Sequence, residues 1–252
     1  ITRIGVFDKA VWKKHFDSQG EELGDDEGSV QAEGTIPAVS IRGVNCTVIN
    51  NIVHHNGDVG IAAIGREGER SVPLIAFNFS YRNMGGGIGV ADLAQPIIRE
   101  NSCYENLRAG IGCRNSSPII QDNKCFKNIR AGIGCREGAR PIMRGNKCYQ
   151  NRRAGIGIRM KHTAPVVENN ECYENEMAGI GARHNAKPVI EHNEVRGNKL
   201  AGIGFEACEN GIAIVRDNTV CENGMVAIGV QTGWKVQIIN NTLSRPDGMP
   251  PV

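Results

Sequence analysis

The sequence is poor in aromatic residues, at 5% of 252 positions. It has no apolar run near the ~20 residues a membrane-crossing helix needs, so no helical membrane span is expected. C-x-x-C pairs are absent, which removes the usual zinc-ribbon and thioredoxin-like patterns. The formal charge is only +2. Residues 1–34 hold eight acids and four bases, and the remainder carries a net +6. That bias is too weak to point to nucleic acid, but it permits an anionic partner. Nine cysteines leave at least one thiol unpaired within the chain. The chain begins at Ile1, not Met, as expected of a processed or trimmed form, from which any signal peptide would already be missing.

Glycine, by contrast, is abundant: 32 residues, nearly twice the usual ~7%. Much of it falls in a repeat. NSCYENLRAGIGCR starts at Asn101, NKCFKNIRAGIGCR at Asn123, NKCYQNRRAGIGIR at Asn146, NECYENEMAGIGAR at Asn170 and NEVRGNKLAGIGFE at Asn193. Weaker copies start at Asn51, Asn78 and Asn218, with a fragment at Asn241, and all are 22 to 27 residues apart. Each repeat holds three short apolar pieces: P-x-I, N-x-C or N-x-V, and G-I-G-C or G-I-G-I. Helical 3.6 periodicity is missing. Three short strands per period, punctuated by Gly, Asn or Pro, predict a three-sided solenoid of about eight coils, with equivalent residues stacked ~4.8 Å apart.

Stacking turns repeat positions into columns. Two asparagine ladders are expected, from Asn101 through Asn123 and Asn146 to Asn241 and from Asn106 through Asn128 and Asn151 to Asn223, with Asn itself in the left-handed turn conformation. Gly110, Gly132, Gly155, Gly179 and Gly202 are expected at positive φ. Ile111, Ile133, Ile156, Ile180 and Ile203 point inward. Tyr81, Tyr104, Phe126, Tyr149 and Tyr173 stack outward beside inward cysteines. His54 and His55, adjacent in a strand, are expected to face opposite ways.

The pattern N-x-[IVC]-x-x-N-x-x-x-G-I-x-[ILVC], over roughly residues 36–245, resembles the right-handed parallel β-helix repeat of the pectin-lyase-like superfamily. Within it the likeness is to NosD-like periplasmic proteins and to carbohydrate-binding or sugar-hydrolase β-helix domains. The resemblance implies an all-β fold and a periplasmic or extracellular location. The Asp clusters of calcium-dependent pectate lyases and polygalacturonases have no counterpart here, nor has the D-P-H-D signature of alginate epimerases. The G-I-G motifs recur coil after coil and open no helix, so they are not nucleotide loops.

Three groups of side chains carry the functional expectations. Arg114, Arg136, Arg159 and Arg183 form an outward column continued by Glu206, and Arg108, Arg130 and Arg153 form a second. Guanidinium forks in a row suit a carboxylated or sulfated polymer, although charge runs are often only solvated. An anionic polysaccharide is therefore the leading expected partner. Lys161, His162 and His184 lie in turns of variable length beside Arg159 and Arg183. They are candidate catalytic bases for a uronate lyase or C5-epimerase, with Arg neutralising the carboxylate; exposed loop residues are the plainer reading. Cys103, Cys125, Cys148 and Cys172 share one position, and Cys113 and Cys135 another. Val195, Val220 and Ile158 replace them elsewhere, so they read as small buried hydrophobes and free thiols. A soft metal such as copper is the alternative, which the NosD-like resemblance also implies.

Two units are expected: residues 1–35, an N-terminal capping helix with an acidic loop, and residues 36–252, the β-helix. Residues 5–19 read as an amphipathic helix closing the first coil. The acidic stretch after it could take a cation such as calcium, or be a solvated loop. The Pro-rich end, 245–252, would block the last coil or lead into another domain.

Overall fold

The computed structural model describes residues 7–18, 36–69 and 71–244. The acidic loop and the Pro-rich C-terminus lie outside the described residues. Short strands wind into three parallel sheets of nine strands each. Sheet A runs through Val39–Arg42, Ile61–Ile64, Ile88–Ala91, Ile111–Arg114, Ile133–Arg136, Ile156–Arg159, Ile180–Arg183, Ile203–Glu206 and Ile228–Val230. Sheet B runs from Thr47–Ile49 to Trp234–Ile239, and sheet C from Ile52–His54 to Thr242–Leu243. Neighbours in each sheet are one lap apart in sequence, so the fold is a right-handed parallel β-helix. It has nine coils, one more than about eight. The additional coil opens with Val39–Arg42 in sheet A, which precedes Asn51 and lacks the G-I-G signature.

Alternation in each strand sends one set of side chains into the bore. Ile111, Ile133, Ile156, Ile180 and Ile203 are completely buried from sheet A. Ile98, Ile120, Met143, Val167 and Ile190 do the same from sheet B, and Cys103, Cys125, Cys148 and Cys172 from sheet C. Each such aliphatic side chain stabilises the fold by ~1.5–3 kcal/mol. All nine cysteines are free thiols.

The asparagine ladders end where expected and begin two rungs earlier, at Asn51 and Asn56. One is continuous from Asn51 to Asn241 and the other from Asn56 to Asn223, each Nδ2 donating to the next Oδ1 at 2.9–3.0 Å. The backbone N–H of each rung donates to the same oxygen, as Asn123 does to Asn146 at 3.0 Å. Here the expected turn chemistry is corrected. The left-handed residue is the one before each ladder asparagine, such as Glu100 (φ 55), Glu105 (φ 53), Asp122 (φ 55) and Lys127 (φ 54). The asparagine amide is thereby aimed along the rod, where it satisfies buried backbone groups.

The glycine expectation is corrected as well. Gly110, Gly132 and Gly155 are not at positive φ. They are glycines because a Cβ would lie 2.7–2.8 Å from the carbonyl oxygen of the same glycine one coil on.

The N-terminal helix, α1 (Lys9–Asp17), is capped by Asp8, whose side chain accepts from the N–H groups of Ala10 and Val11. It does not close the mouth of coil 1. Its buried Trp12 packs with Met84, Leu107 and Ile129, which sit in the turns of three successive coils. The helix therefore lies along the flank of the rod. These three residues make an outward apolar stripe, and that stripe rather than the open end is what α1 covers.

Outside sheet C, Tyr81, Tyr104, Phe126, Tyr149 and Tyr173 stack with ring centroids 4.7–4.9 Å apart. His54 extends the stack at 5.1 Å, and the Arg196 guanidinium covers the far face of Tyr173 at 4.7 Å.

Candidate functional site

The G-I-G-x-R segments build the most distinctive surface of the molecule. In Ile111–Arg114, Ile111 and Cys113 point inward, so Gly112 and Arg114 point outward. Register repeats this arrangement from coil to coil. Gly89, Gly112, Gly134, Gly157, Gly181, Gly204 and Gly229 are in-register partners across seven coils of sheet A. Together they form a floor without side chains. Unlike Gly110 or Gly132, the five from Gly112 to Gly204 are not required by packing. A Cβ on Gly112 would meet nothing within 4 Å, and on Gly134, Gly157, Gly181 or Gly204 only an alanine Cβ at 3.4–3.8 Å.

Arginines wall this floor on both sides. Arg108, Arg130 and Arg153 stand on the turn entering sheet A, and Arg114, Arg136, Arg159 and Arg183 at the strand ends leaving it. They bound a groove of about 670 Å³ running along the rod. Counting Arg42 near its start, eight arginines line it against two carboxylates, Asp58 and Glu206.

The strand-end arginines are held by rim carboxylates. Arg114 lies 3.5 Å from Asp92 and 3.8 Å from Glu137, Arg136 3.0 Å from Glu137, and Arg183 2.5 Å from Glu206. Ion pairs this exposed contribute ~0–1 kcal/mol each, so they orient the guanidinium groups without neutralising the wall. On the other wall Arg130 is buried, at 9% exposure. Burial lowers the pKa of Arg108, and the charge of Asp58 opposes that shift; an arginine lowered from so high a value stays charged at neutral pH.

Lys161, His162 and His184 are exposed on the turns that follow Arg159 and Arg183. They are not among the residues lining the groove. Among the described residues, no hydrogen bond joins either imidazole to a carboxylate. Left-handed φ values at His162 (69°) and His184 (55°) fit tight-turn roles.

The sheet C cysteines stack in the dry bore at 0% exposure. Burial pushes the Cys125 thiol, and likewise that of Cys135 in sheet A, well above the ordinary range. Protonated thiols without solvent access are poor soft-metal ligands. No group of three or more His, Cys, Asp or Glu is placed to hold a metal among the described residues.

Sequence reasoning found both arginine columns but missed the floor between them. The signal was present: the second glycine of every G-I-G motif is outward by the same alternation that exposes the arginine. It also missed the meeting of His54 and His55. The left-handed φ of His55, 53°, breaks strand alternation and swings the two rings together, correcting the opposite-faces expectation.

Comparison with known proteins agrees with this architecture. The family described as "Right handed beta helix region" matches residues 38–162 and 115–243. No curated protein sequence matches the chain. The periplasmic alginate epimerase AlgG superposes with a TM-score of 0.71 at 19% identity, covering 79% of this chain and 50% of that one. The A-module of the mannuronan C-5 epimerase AlgE4 of Azotobacter vinelandii gives 0.60 at 12% identity, covering 82% and 78%. The chain thus spans about half the length of AlgG.

Proposed function

The chain belongs to the right-handed β-helix family, and on that footing we propose that it is an extracytoplasmic protein that binds an anionic polysaccharide along the sheet A groove. One observation carries the reading. Seven successive coils leave the outward strand position without a side chain although a Cβ would fit at most of them, and arginines stand on both sides of that strip at Gly112, Gly134 and Gly157. Glycine in a strand interior costs ~0.5–1 kcal/mol relative to alanine. Repeating it where packing does not ask for it keeps a channel open. Two rows of planar, permanently charged forks then suit carboxylate or sulfate groups arrayed on a linear chain. The epimerases that share the fold are described as acting on alginate and mannuronan, which supports a uronate polymer as ligand.

Binding is favoured over catalysis because Lys161, His162 and His184 stand outside the groove lining. The test is retention on immobilised polyuronate, eluted with salt. The protein is expected to bind at low ionic strength and elute as screening rises. Arg136→Ala with Arg159→Ala should elute markedly earlier; unchanged elution of a folded double variant overturns the reading.

A further inference from the structure

The groove walls change along the rod in a regular way. Arg108 and Arg114 flank the floor of coil 4, Arg130 and Arg136 that of coil 5, and Arg153 and Arg159 that of coil 6. These three coils alone carry arginine on both walls. In coil 3 the equivalent positions are Gly85 and Ala91. In coil 7, Met177 faces Arg183 across Gly181, and in coil 8, Leu200 faces Glu206 across Gly204. The floor itself is continuous through all of these coils. The groove therefore carries a doubly basic block of three coils between an N-terminal end lined by Ile36, Arg42, Asp58 and Ile64 and an apolar-to-acidic C-terminal extension.

We propose that this groove measures its ligand, taking three consecutive anionic sugar units on coils 4 to 6 and an uncharged stretch of the same chain on coils 7 and 8. The proposal rests on polyanion binding in the groove and adds length and polarity to it. Coils repeat every ~4.8 Å, so each anionic unit of a linear, extended polymer can meet one coil and its arginine pair. A fourth charge meets Met177 on one wall and a single arginine, Arg183, on the other. A fifth meets Leu200 and the like charge of Glu206, which disfavours it. Met177 and Leu200 are thus the specificity-determining positions.

The test is calorimetric titration of the whole chain with mannuronan oligomers of one to six units at low ionic strength. Affinity is expected to rise about tenfold per unit up to three, as each adds a charge-assisted contact. From four to six units it should change by less than about twofold. Met177→Arg is expected to make the fourth unit count like the first three, and Arg153→Met to end the rise at two. Affinity that climbs by the same factor through all six units, or a fourth-unit gain that Met177→Arg leaves unaltered, overturns the three-unit block while leaving polyanion binding intact. Absence of binding by any oligomer, together with arginine variants that do not alter polymer retention, overturns both.

Discussion

The Nδ1 atoms of His54 and His55 lie 2.7 Å apart, a hydrogen bond between neighbouring imidazoles that requires one of the two nitrogens to be without a proton. The pair stands under α1, with the Phe7 ring edge-on to His55 at 5.0 Å and Trp12 at 6.5 Å. Burial lowers the pKa of both from 6.5, and Arg82 opposes charging either one; His54 and Lys9 further lower His55, against a raising contribution from Glu105. A depressed histidine makes the unfolded chain bind more protons, so stability rises with pH across the window. The contribution is complete above pH 6.5 and is lost as pH falls through the lowered folded values. Thermal midpoints measured from pH 8 to pH 5 should therefore drop on acidification. His55→Phe keeps a ring for Phe7 and Trp12 and should flatten that drop. Phe77, at φ 56, already tolerates the same backbone conformation.

The groove floor separates function from stability. Gly112→Leu places a β-compatible side chain where a Cβ meets nothing within 4 Å. Stability in denaturant should stay within about 1 kcal/mol of the parent, while polyuronate retention is lost. Gly132→Ala should behave in the opposite sense and destabilise, since its Cβ would lie 2.8 Å from the Gly155 oxygen.

Asn146 accepts from the backbone N–H and Nδ2 of Asn123 and donates to the Ile120 oxygen and to Asn170. Asn146→Ala leaves the Asn123 N–H without its partner in the interior, whereas Asn123 Nδ2 still donates to the Ile98 and Gln121 oxygens and Asn170 Oδ1 still accepts from the N–H of residue 146. A loss of about 2–4 kcal/mol is expected in urea unfolding, given ~1–3 kcal/mol for a buried group left unpaired together with the other bonds removed. Lys124→Ala, on the exposed face of sheet C, should change stability by less than ~0.5 kcal/mol.

The thiol columns are packing elements. Cys148→Val, which copies what Val195 does in the same column, should cost less than ~1.5 kcal/mol. Cys148→Ser buries a hydroxyl in an apolar bore and should cost more. Alkylation of the native protein, followed by mass spectrometry, should label exposed Cys46 first and partly exposed Cys208 and Cys221 more slowly. The six buried thiols should react only on unfolding.

Much of this was legible because a solenoid converts spacing into contact. Asn123 and Asn146 read as neighbours from their repeat positions alone, and the Ile111–Ile203 ladder followed by alternation. What failed was local backbone geometry. The left-handed turn sits one residue before each asparagine because the residue there, whether Glu100, Asp122 or Lys127, is fixed by ladder hydrogen bonds and not by its own propensity. The docking place of α1 was hidden for a related reason: Met84, Leu107 and Ile129 are non-identical residues in turns, so they form no visible motif. The arginine walls were plain, whereas a floor made by the absence of side chains was not.

The position of α1 also bears on how the rod comes apart. A chain of laps that touch only their immediate neighbours can fray one lap at a time from either tip. By reaching from His55 to Ile129, the helix staples several laps that otherwise share no direct contact. Pulled from its two ends, the molecule should shed its C-terminal laps in small successive steps and surrender its N-terminal half in a single larger one.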